Sequence, residues 1–342
     1  MCLLASSRIR TVDCAKTLRI KDFDNLRLHI CVIGYPVMGE SVVAMLCESD
    51  KVLFTVVTDS YCCEENGNGY NYVVELLKKK GVGQIDAFVW THPDKDHSIG
   101  IECLLDIYDS QHTAEIFIPE GLIGKNQETF CNETISAIGY IYANYSPKGS
   151  RKDRRNIHTV STDFQEIRDL MKLNIVADDF ESMTCKFRFV QPYSEYCHHC
   201  DFWDIEQEHN LMSIVYSIEL NGRNYLFTGD LMDDGTRMMS HEILSRINYV
   251  KIPHHGSKHS KELLNILRNY STKGLTSSAT SFNSSGAPQP KVLQAYSDMG
   301  NVYYVTDDRT HPIGCIETIV GVVDDVCTTL CTGNAIQFCS IA

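Results

Sequence analysis

Short apolar runs rich in β-branched residues, each cut off by glycine, proline or acidic residues, recur near the start of this chain. Three of them follow one another, at Leu28–Ile33, Ser41–Leu46 and Val52–Val57. Runs of this length, composition and punctuation are typical of β-strands. The fold is therefore predicted to open with consecutive strands of a sheet.

Helical segments alternate with further strands along the rest of the chain. Residues 72–80 have helical periodicity, end in lysines that suit a helix C-terminus and stop at Gly81, and Ile85–Trp90 follows as a buried strand. Later strands are predicted near 213–219, 223–228, 248–252, 274–280 and 301–305, and helices near 232–245, 260–270 and 289–299. No repeat of fixed period is visible, which disfavours a solenoid or propeller. Two β-rich halves with interleaved helices predict a four-layer α/β sandwich.

Residues 120–205 differ in character from the rest of the chain. Two helices are predicted there, near 127–144 and 162–173, around a basic loop. The cations of that loop are Lys148, Arg151, Lys152, Arg154 and Arg155. We interpret the whole segment as an elaboration on the core of the fold.

Length and charge narrow the function classes. The 342 residues allow two domains, or one large domain with insertions. The net charge of −13 repels polyanions, so binding of long nucleic acid needs a local basic patch. No apolar run is long enough for a membrane span, and the short apolar start is followed by Arg8 and Arg10, on the wrong side for a signal peptide. The sequence predicts a cytoplasmic protein with no membrane association.

The cysteine content does not indicate a disulfide framework. There are 15 cysteines, an odd number, and Cys62 and Cys63 are adjacent, so most are predicted to be reduced thiols. Four near the C-terminus fall on strand-like apolar segments and are predicted to be small core residues: Cys315, Cys327, Cys331 and Cys339.

The segment richest in reactive side chains is Thr91–His97, with the sequence T-H-P-D-K-D-H, directly after the strand that ends at Trp90. Its candidate metal ligands are two imidazoles and two carboxylates, from His92, Asp94, Asp96 and His97. Such a set can converge in a tight loop at a strand end and suits a pair of divalent metals. The alternative is a solvated acidic loop, which the position after an apolar strand disfavours.

Two other predicted strands end in ligand-type residues. Tyr225–Thr228 is followed by Gly229 and Asp230, and Tyr249–Pro253 is followed by His254 and His255. Taken alone, each signal is weak. A Gly-Asp pair is commonly a turn, and a histidine pair commonly bonds the backbone.

Together these segments resemble the metallo-β-lactamase superfamily, and most closely the metallo-hydrolase domain of the ComEC competence proteins. That group has a T-H-P-D-x-D-H loop, an N-x-x-S-I-V strand before T-G-D, and an H-H-G-S loop. This chain has Thr91–His97, Asn210–Val215, Thr228–Asp230 and His254–Ser257 in the same order. Gly39–Ser41 and Thr58–Asp59 stand where the group has G-x-G-D-S and I-D-x-G.

The resemblance implies a four-layer αββα sandwich of the metallo-β-lactamase type. It implies a single domain over residues 1–342, with a core at about 27–321 and an insertion at about 120–205. It also implies two divalent metal ions bridged by Asp230. The first would be held by His92, Asp94 and Asp230, and the second by Asp96, His97, Asp230 and one of His254 or His255. Many members have histidine in place of Asp94, so this oxygen-rich set allows Mn²⁺ as the alternative to the favoured Zn²⁺.

The expected chemistry is hydrolysis by a metal-bound hydroxide. Asp96 would orient that hydroxide, and His254, Lys258 or His259 would stabilise the transition state or protonate the leaving group. The competence group has a histidine where this chain has Gln289. An amide is a weaker metal ligand and cannot act as a general acid.

The substrate class implied by the resemblance is a phosphodiester, which makes the protein a phosphodiesterase or nuclease. The basic loop at 148–155 could hold a phosphate backbone or a nucleotide, or it could be a solvated loop. In an acidic chain, a short oligonucleotide or a nucleotide is as plausible a substrate as long DNA. The alternatives are a hydrolase acting on a lactam, lactone or thioester, and a binding protein with a decayed site. The sequence indicates no partner protein.

Overall fold

The computed structural model describes residues 14–65, 68–122, 130–145, 156–199, 209–270 and 274–339. Within these ranges the chain forms two large β-sheets and a small one. The nine-stranded sheet contains, in spatial order, β1 (Cys14–Ile20), β10 (Arg168–Ala177), β11 (Ser182–Gln191), β12 (Val215–Leu220), β13 (Arg223–Phe227), β14 (Ile247–Lys251), β15 (Leu275–Ala279), β16 (Gly300–Val305) and β19 (Ala335–Gln337). The eight-stranded sheet contains β18 (Cys327–Gly333), β17 (Gly314–Gly321), β2 (Leu26–Gly34), β3 (Glu40–Glu48), β4 (Lys51–Thr58), β7 (Ala87–Val89), β8 (Glu115–Pro119) and β9 (Ile157–Val160).

The remaining elements are a two-stranded ribbon and a set of helices. The ribbon pairs β5 (Cys63–Glu65) with β6 (Asn68–Tyr70). The helices of the described ranges are α1 (Tyr72–Lys79), α2 (Lys95–Ser98), α3 (Ile101–Tyr108), α4 (Asn132–Tyr145), α5 (Ser194–His199), α6 (Asp233–Met238), α7 (Lys261–Leu267) and α8 (Pro290–Ser297). None of the helices in this part of the chain has the length and apolarity needed to cross a membrane.

Three apolar clusters give the molecule four layers. The central cluster contains side chains of both large sheets, among them Ile30 and Val32 of β2 and Leu173 and Ile175 of β10. A second cluster joins the outer face of the eight-stranded sheet to α1, α3 and α4, and a third joins the outer face of the nine-stranded sheet to α7 and α8. Burial on both faces removes most of the apolar area of each sheet from water. The predicted four-layer sandwich is confirmed.

Parallel strands place their carboxyl ends together. In the eight-stranded sheet β4, β7, β8 and β9 are parallel neighbours, and in the nine-stranded sheet β13, β14, β15 and β16 are. The loop after β7 meets the other sheet through a hydrogen bond of 2.9 Å from the Ile214 amide to the Thr91 carbonyl. Side chains that follow these strands therefore meet at one edge of the sandwich.

The helix expected over 162–173 is wrong, because residues 162–167 are not helical and β10 occupies residues 168–173. Leu173, Ile175 and Ala177 are buried between the sheets, while Asn174 is exposed, which is a period of two. Residues 168–173, with the sequence R-D-L-M-K-L, mostly have good helix propensity, and pairing with β1 and β11 overrides it. Since β9, β10 and β11 belong to the large sheets, this part of 120–205 lies inside the sandwich.

The structure contradicts the expectation for three of the C-terminal cysteines, and it does not describe the basic loop. Of the four C-terminal cysteines, Cys315 is buried, but Cys327, Cys331 and Cys339 are exposed, so their assignment to the core is wrong. The reason for Cys327 and Cys331 is that β18 is an edge strand with both faces largely open to solvent. The basic loop with Lys148, Arg151, Lys152, Arg154 and Arg155 lies outside the described residues.

A half-buried charge cluster on β17 leads to a testable prediction about stability. The Glu317 carboxylate accepts hydrogen bonds from His29 Nδ1 at 2.8 Å and from Lys80 Nζ. The His29 hydrogen bond and the Lys80 charge outweigh burial and lower the Glu317 pKa from 4.5 to about 2. A carboxylate with a lowered pKa stabilises the fold above its unfolded-state pKa and loses that effect as the pH falls through the folded-state value.

Glu317→Gln should therefore lower the free energy of unfolding by about 1–2 kcal/mol at pH 7, after allowance for solvent screening. The difference from wild type should shrink between pH 4.5 and about 2, the two pKa values of this group. Urea unfolding at a series of pH values measures it. Glu181→Gln is the control, since Glu181 is exposed in a turn. A Glu317→Gln penalty that stays constant down to pH 3 would contradict the assignment.

Candidate metal centre

The predicted metal ligands come together at the carboxyl-end edge of the sandwich. His92, Asp94, Asp96 and His97 follow β7, Asp230 follows β13, and His254 and His255 follow β14. His92, His97, Asp96, Asp230 and His255 are all buried, with exposures between 0% and 5%. Asp94 and His254 are partly exposed, so the cluster has a closed interior and an open rim.

Local structure after β7 directs four of these side chains inward. Asp94 has extended backbone and precedes α2, and Asp96 and His97 lie within that single helical turn. The amide of Thr91 donates to Asp59 Oδ1 at 2.7 Å, and the amide of Asp59 donates to the Val89 carbonyl at 2.9 Å. These bonds tie the ends of β4 and β7 together beneath the ligands.

The H-H-G-S loop has an unusual backbone. His254 and His255 both have left-handed conformations, with φ of 48° and 55°, inside a single 3₁₀ turn. Such conformations are costly for residues with a Cβ and persist only where surrounding contacts enforce them. Here the backbone N–H of His254 donates to the Gly229 carbonyl at 3.2 Å, and the backbone N–H of Gln289 donates to the Gly256 carbonyl at 3.0 Å. In this conformation both imidazoles face Asp230, with Nε2 atoms 3.8 Å and 3.5 Å from its Oδ2.

The ligand atoms can be assigned to two groups with Asp230 in both, and the ligand atoms of His92, His97 and Asp230 also lie within 4.8 Å of one another. In one group, His92 Nε2 lies 3.5 Å from Asp94 Oδ2 and 4.0 Å from Asp230 Oδ2. In the other, Asp96 Oδ2 lies 3.4 Å from His97 Nε2 and 3.3 Å from His255 Nε2.

Asp230 is close to both histidines of the second group. Its Oδ1 lies 3.6 Å from His97 Nε2 and its Oδ2 lies 3.5 Å from His255 Nε2. These separations are long for hydrogen bonds. They are near the spacing of about 3.4 Å between ligand atoms that bind one tetrahedral ion at about 2.0–2.1 Å.

Hydrogen bonds behind the rings fix how His92 and His97 are protonated. An ionised carboxylate only accepts, so Asp59 Oδ2 receives the Thr91 hydroxyl at 2.6 Å and the His97 Nδ1–H at 2.7 Å. The Thr91 oxygen in turn receives the His92 Nδ1–H at 2.9 Å. Both rings therefore direct Nε2, the atom free to bind a metal, toward the carboxylates.

The atoms that face the centre of the cluster are buried and have no hydrogen-bond partner. They are His92 Nε2, His97 Nε2, His255 Nε2, Asp96 Oδ2 and Asp230 Oδ1. Buried polar atoms are nearly always satisfied, so five converging exceptions require an explanation. Imidazole nitrogen and carboxylate oxygen are the ligands that divalent transition metals prefer. The described donors fit a metal centre.

The electrostatics of the cluster favour bound positive charge. Burial alone would raise the pKa of Asp96 and Asp230, but the neighbouring histidines hold both pKa values below the usual range. Burial opposes protonation of His255, yet Asp230 and Asp96 raise its pKa to about 9. The carboxylates of Asp94, Asp96 and Asp230, in a largely buried space, therefore attract cations to the Nε2 atoms of the histidines.

The remaining predicted site residues lie at the rim. His254 Nε2 is 3.8 Å from Asp230 Oδ2, and burial lowers the His254 pKa, which keeps the ring neutral at pH 7. His255, in contrast, approaches both Asp96 and Asp230. Lys258 and His259 are exposed in the same loop. The side-chain amide of Gln289 donates from Nε2 to the Gly286 carbonyl at 2.9 Å, within its own turn.

Sequence reasoning missed several residues that hold the ligands. Asp59, Thr91 and Thr280 bond the rear of the rings of His97, His92 and His255, and Glu40 accepts the hydroxyl of Thr280. In addition, His209 Nδ1 lies 2.7 Å from Asp94 Oδ1. Asp59 carries a usable signal, because it follows β4 as the ligands follow β7, β13 and β14. Nothing in the sequence near Thr280 indicates its role.

No family model matches the sequence, and a search of curated proteins found no match. Among solved structures, a diphosphatase of the PhnP family is 13% identical, with 73% of this chain and 85% of that chain covered and a TM-score of 0.34. The metallo-β-lactamase fold protein YhfI from Bacillus subtilis is 8% identical, with 78% and 80% covered and a TM-score of 0.32. These likenesses are remote, and the metal centre is inferred from this chain's own side chains.

Proposed function

We propose that this protein is a metal-dependent hydrolase that cleaves phosphodiester bonds in nucleotides or nucleic acid. The observation that carries the proposal is the convergence of the Nε2 atoms of His92, His97 and His255 on Asp96 and Asp230, all buried and all without another partner. Since Asp59 and Thr91 direct two of these nitrogens inward, the arrangement is pre-organised for metal ions.

Two divalent ions would fit the two groups of ligands. His92, Asp94 and Asp230 would hold the first, and His97, Asp96, His255 and Asp230 the second, with Asp230 as the bridge. The mixture of imidazole and carboxylate suits Zn²⁺, and the three carboxylates suit Mn²⁺ as the alternative. When bound, such ions would supply Lewis acidity to the substrate and lower the pKa of water.

The protein's own groups would orient and protonate the reactants. The Asp96 carboxylate lies at the inner wall, where it would orient the attacking water. His254 at the rim, neutral at pH 7, would take a proton from the attacking water and pass it to the leaving oxygen, and the exposed Lys258 would attract the anionic substrate. Phe282 stacks on the His255 ring with centroids 5.0 Å apart, which places an apolar face against this ligand.

The substrate assignment is supported by the resemblance to the competence-type hydrolases and by the chemistry of paired metal ions, which clamp the oxygens of a phosphoryl group. The net charge of −13 is compatible with a nucleotide or short oligonucleotide as well as with long nucleic acid. We include the basic cluster of residues 148–155 in the proposal as the contact for substrate phosphates. A lactam, lactone or thioester is the alternative substrate.

Metal analysis and a substrate panel test the proposal together. The purified protein should carry one to two divalent ions per chain and should hydrolyse bis(p-nitrophenyl) phosphate faster than a chromogenic lactam or thioester. His97→Asn should lose metal and activity, whereas His311→Asn, at an exposed position outside the site, should keep both. Metal content with activity only on the carbonyl substrates would support the alternative. No bound metal, with none recruited from added Zn²⁺ or Mn²⁺, would refute the proposal.

A further inference from the structure

A buried ion pair lies directly behind His255 and joins the two large sheets. Lys251 is the last residue of β14 and Glu40 the first residue of β3, and they are 1% and 2% exposed. Lys251 Nζ lies 2.7 Å from Glu40 Oε2. Removing two charges from water is costly, and a buried pair of this kind is weak support for stability. Its contacts therefore suggest another role.

Thr280 connects the pair to the metal centre. The Thr280 hydroxyl lies 2.5 Å from Glu40 Oε2 and 2.7 Å from His255 Nδ1. The Lys251 ammonium, 2.7 Å from Glu40 Oε2, stabilises the ionised carboxylate, so Glu40 is a hydrogen-bond acceptor. Since Glu40 can only accept, Thr280 donates to it and must accept the proton of His255 Nδ1. The negative charge of Glu40 therefore sets the direction of both hydrogen bonds that run from His255 through Thr280 to Glu40.

The outcome at the other side of the ring is a defined metal-binding atom. With Nδ1 committed to Thr280, His255 Nε2 faces Asp96 Oδ2 at 3.3 Å and Asp230 Oδ2 at 3.5 Å. Phe282 stacks on the ring face, at an interplanar angle of 22°. His255 therefore has its orientation fixed from behind and from one face, despite its strained backbone.

We propose that the Lys251–Glu40 pair, acting through Thr280, is a positioning device that presents His255 Nε2 to the second metal ion. This inference rests on the proposed metal centre. Lys251, Glu40 and Thr280 do not touch the site where substrate would bind, so they are positioning residues. Partners behind a ligating histidine hold the ring, fix its tautomer and raise its basicity.

Thr280→Val and Thr280→Ser form the decisive pair of variants. Valine has the shape of threonine without the hydroxyl, so Thr280→Val should weaken binding of one Zn²⁺ ion by about 10–100-fold and leave the other ion nearly unchanged. Serine restores the hydroxyl, and Thr280→Ser should recover most of the affinity. Competition with a chromogenic chelator measures both constants, and the visible spectrum of the Co²⁺-loaded protein reports whether one site has changed its coordination.

A double variant guards against misfolding of Thr280→Val. Glu40→Gln with Lys251→Met removes both buried charges at similar volume, and should weaken the same ion in the same direction because an amide can donate to Thr280 as well as accept from it, so the direction of that hydrogen bond is no longer fixed. Circular dichroism establishes that each variant is folded. If wild type binds two ions and a folded Thr280→Val or double variant binds both with unchanged affinity, the positioning role is wrong while the metal centre stands. If wild type binds no metal, the proposed function itself fails and this inference fails with it.

Discussion

Asp96→Asn should slow hydrolysis by about thirty- to a thousand-fold in a protein that still folds, equivalent to about 2–4 kcal/mol in the barrier. Asp96 Oδ2 lies 3.4 Å from His97 Nε2 and 3.3 Å from His255 Nε2, at the centre of the second group of ligands. Asparagine keeps the size of the side chain but removes the charge that attracts the metal and orients the water. His92, Asp94 and Asp230 are untouched, so one ion should stay bound.

The measurement is kcat/KM on a phosphodiester substrate, with metal content and circular dichroism recorded on the same preparation. Asp106→Asn is the matched control, because it makes the same chemical change at an exposed position on α3. If folded Asp96→Asn hydrolyses substrate within a few-fold of wild type, Asp96 is a structural residue and the catalytic group lies elsewhere.

Asp59→Asn should reduce metal binding at both groups of ligands, because one carboxylate serves two histidines. Asp59 Oδ2 accepts from His97 Nδ1 at 2.7 Å and from the Thr91 hydroxyl at 2.6 Å, and Thr91 in turn holds His92. An amide nitrogen in that position would donate where two donors already point. We expect Zn²⁺ affinity to fall by about 10–100-fold and the free energy of unfolding by about 1–3 kcal/mol.

Excess metal distinguishes this variant from the previous one. Activity of Asp59→Asn should recover in part as Zn²⁺ is added, since its ligands are intact but poorly presented, whereas Asp96→Asn should not recover. Asp109→Asn is the control for loss of a buried carboxylate, because Asp109 accepts from Tyr145 at 2.7 Å and from the Ala114 amide at 2.9 Å, away from the ligands. Wild-type metal affinity in Asp59→Asn, or an equal loss in Asp109→Asn, would contradict this role for Asp59.

Local sequence patterns were sufficient to predict much of the fold. Strands β2, β3 and β4 were predicted within a few residues. An apolar, β-branched run between turn residues is a local signal, which can be recognised without knowing what the strand packs against. Helix α1 was predicted from signals that are also local, namely its helical periodicity, its terminal lysines and the glycine that follows. The prediction for the segment at β10 was wrong because its first residues favour a helix locally, and only pairing with β1 and β11 makes the segment a strand.

The same division applies to the metal centre. Its ligand-type residues were identified from sequence, because each group follows a strand directly: His92–His97, Asp230 and His254–His255. The resemblance to the competence-type hydrolases assigned these residues to one site, and the parallel pairing that brings the strand ends together is a finding of the structure. The presence of ligand-type chemistry at strand ends is thus a local property of the chain.

Only the tertiary structure decided which nitrogen of each histidine faces the cluster. Asp59 reaches His97 across 38 positions of sequence, and Glu40 reaches Thr280 across 240. Hydrogen-bond direction depends on which donor meets which acceptor in space, and no periodicity or spacing encodes a meeting between two sheets. The sequence therefore determined the strands and the residues that end them, while packing of the two sheets determined how Lys251, Glu40 and Thr280 orient His255.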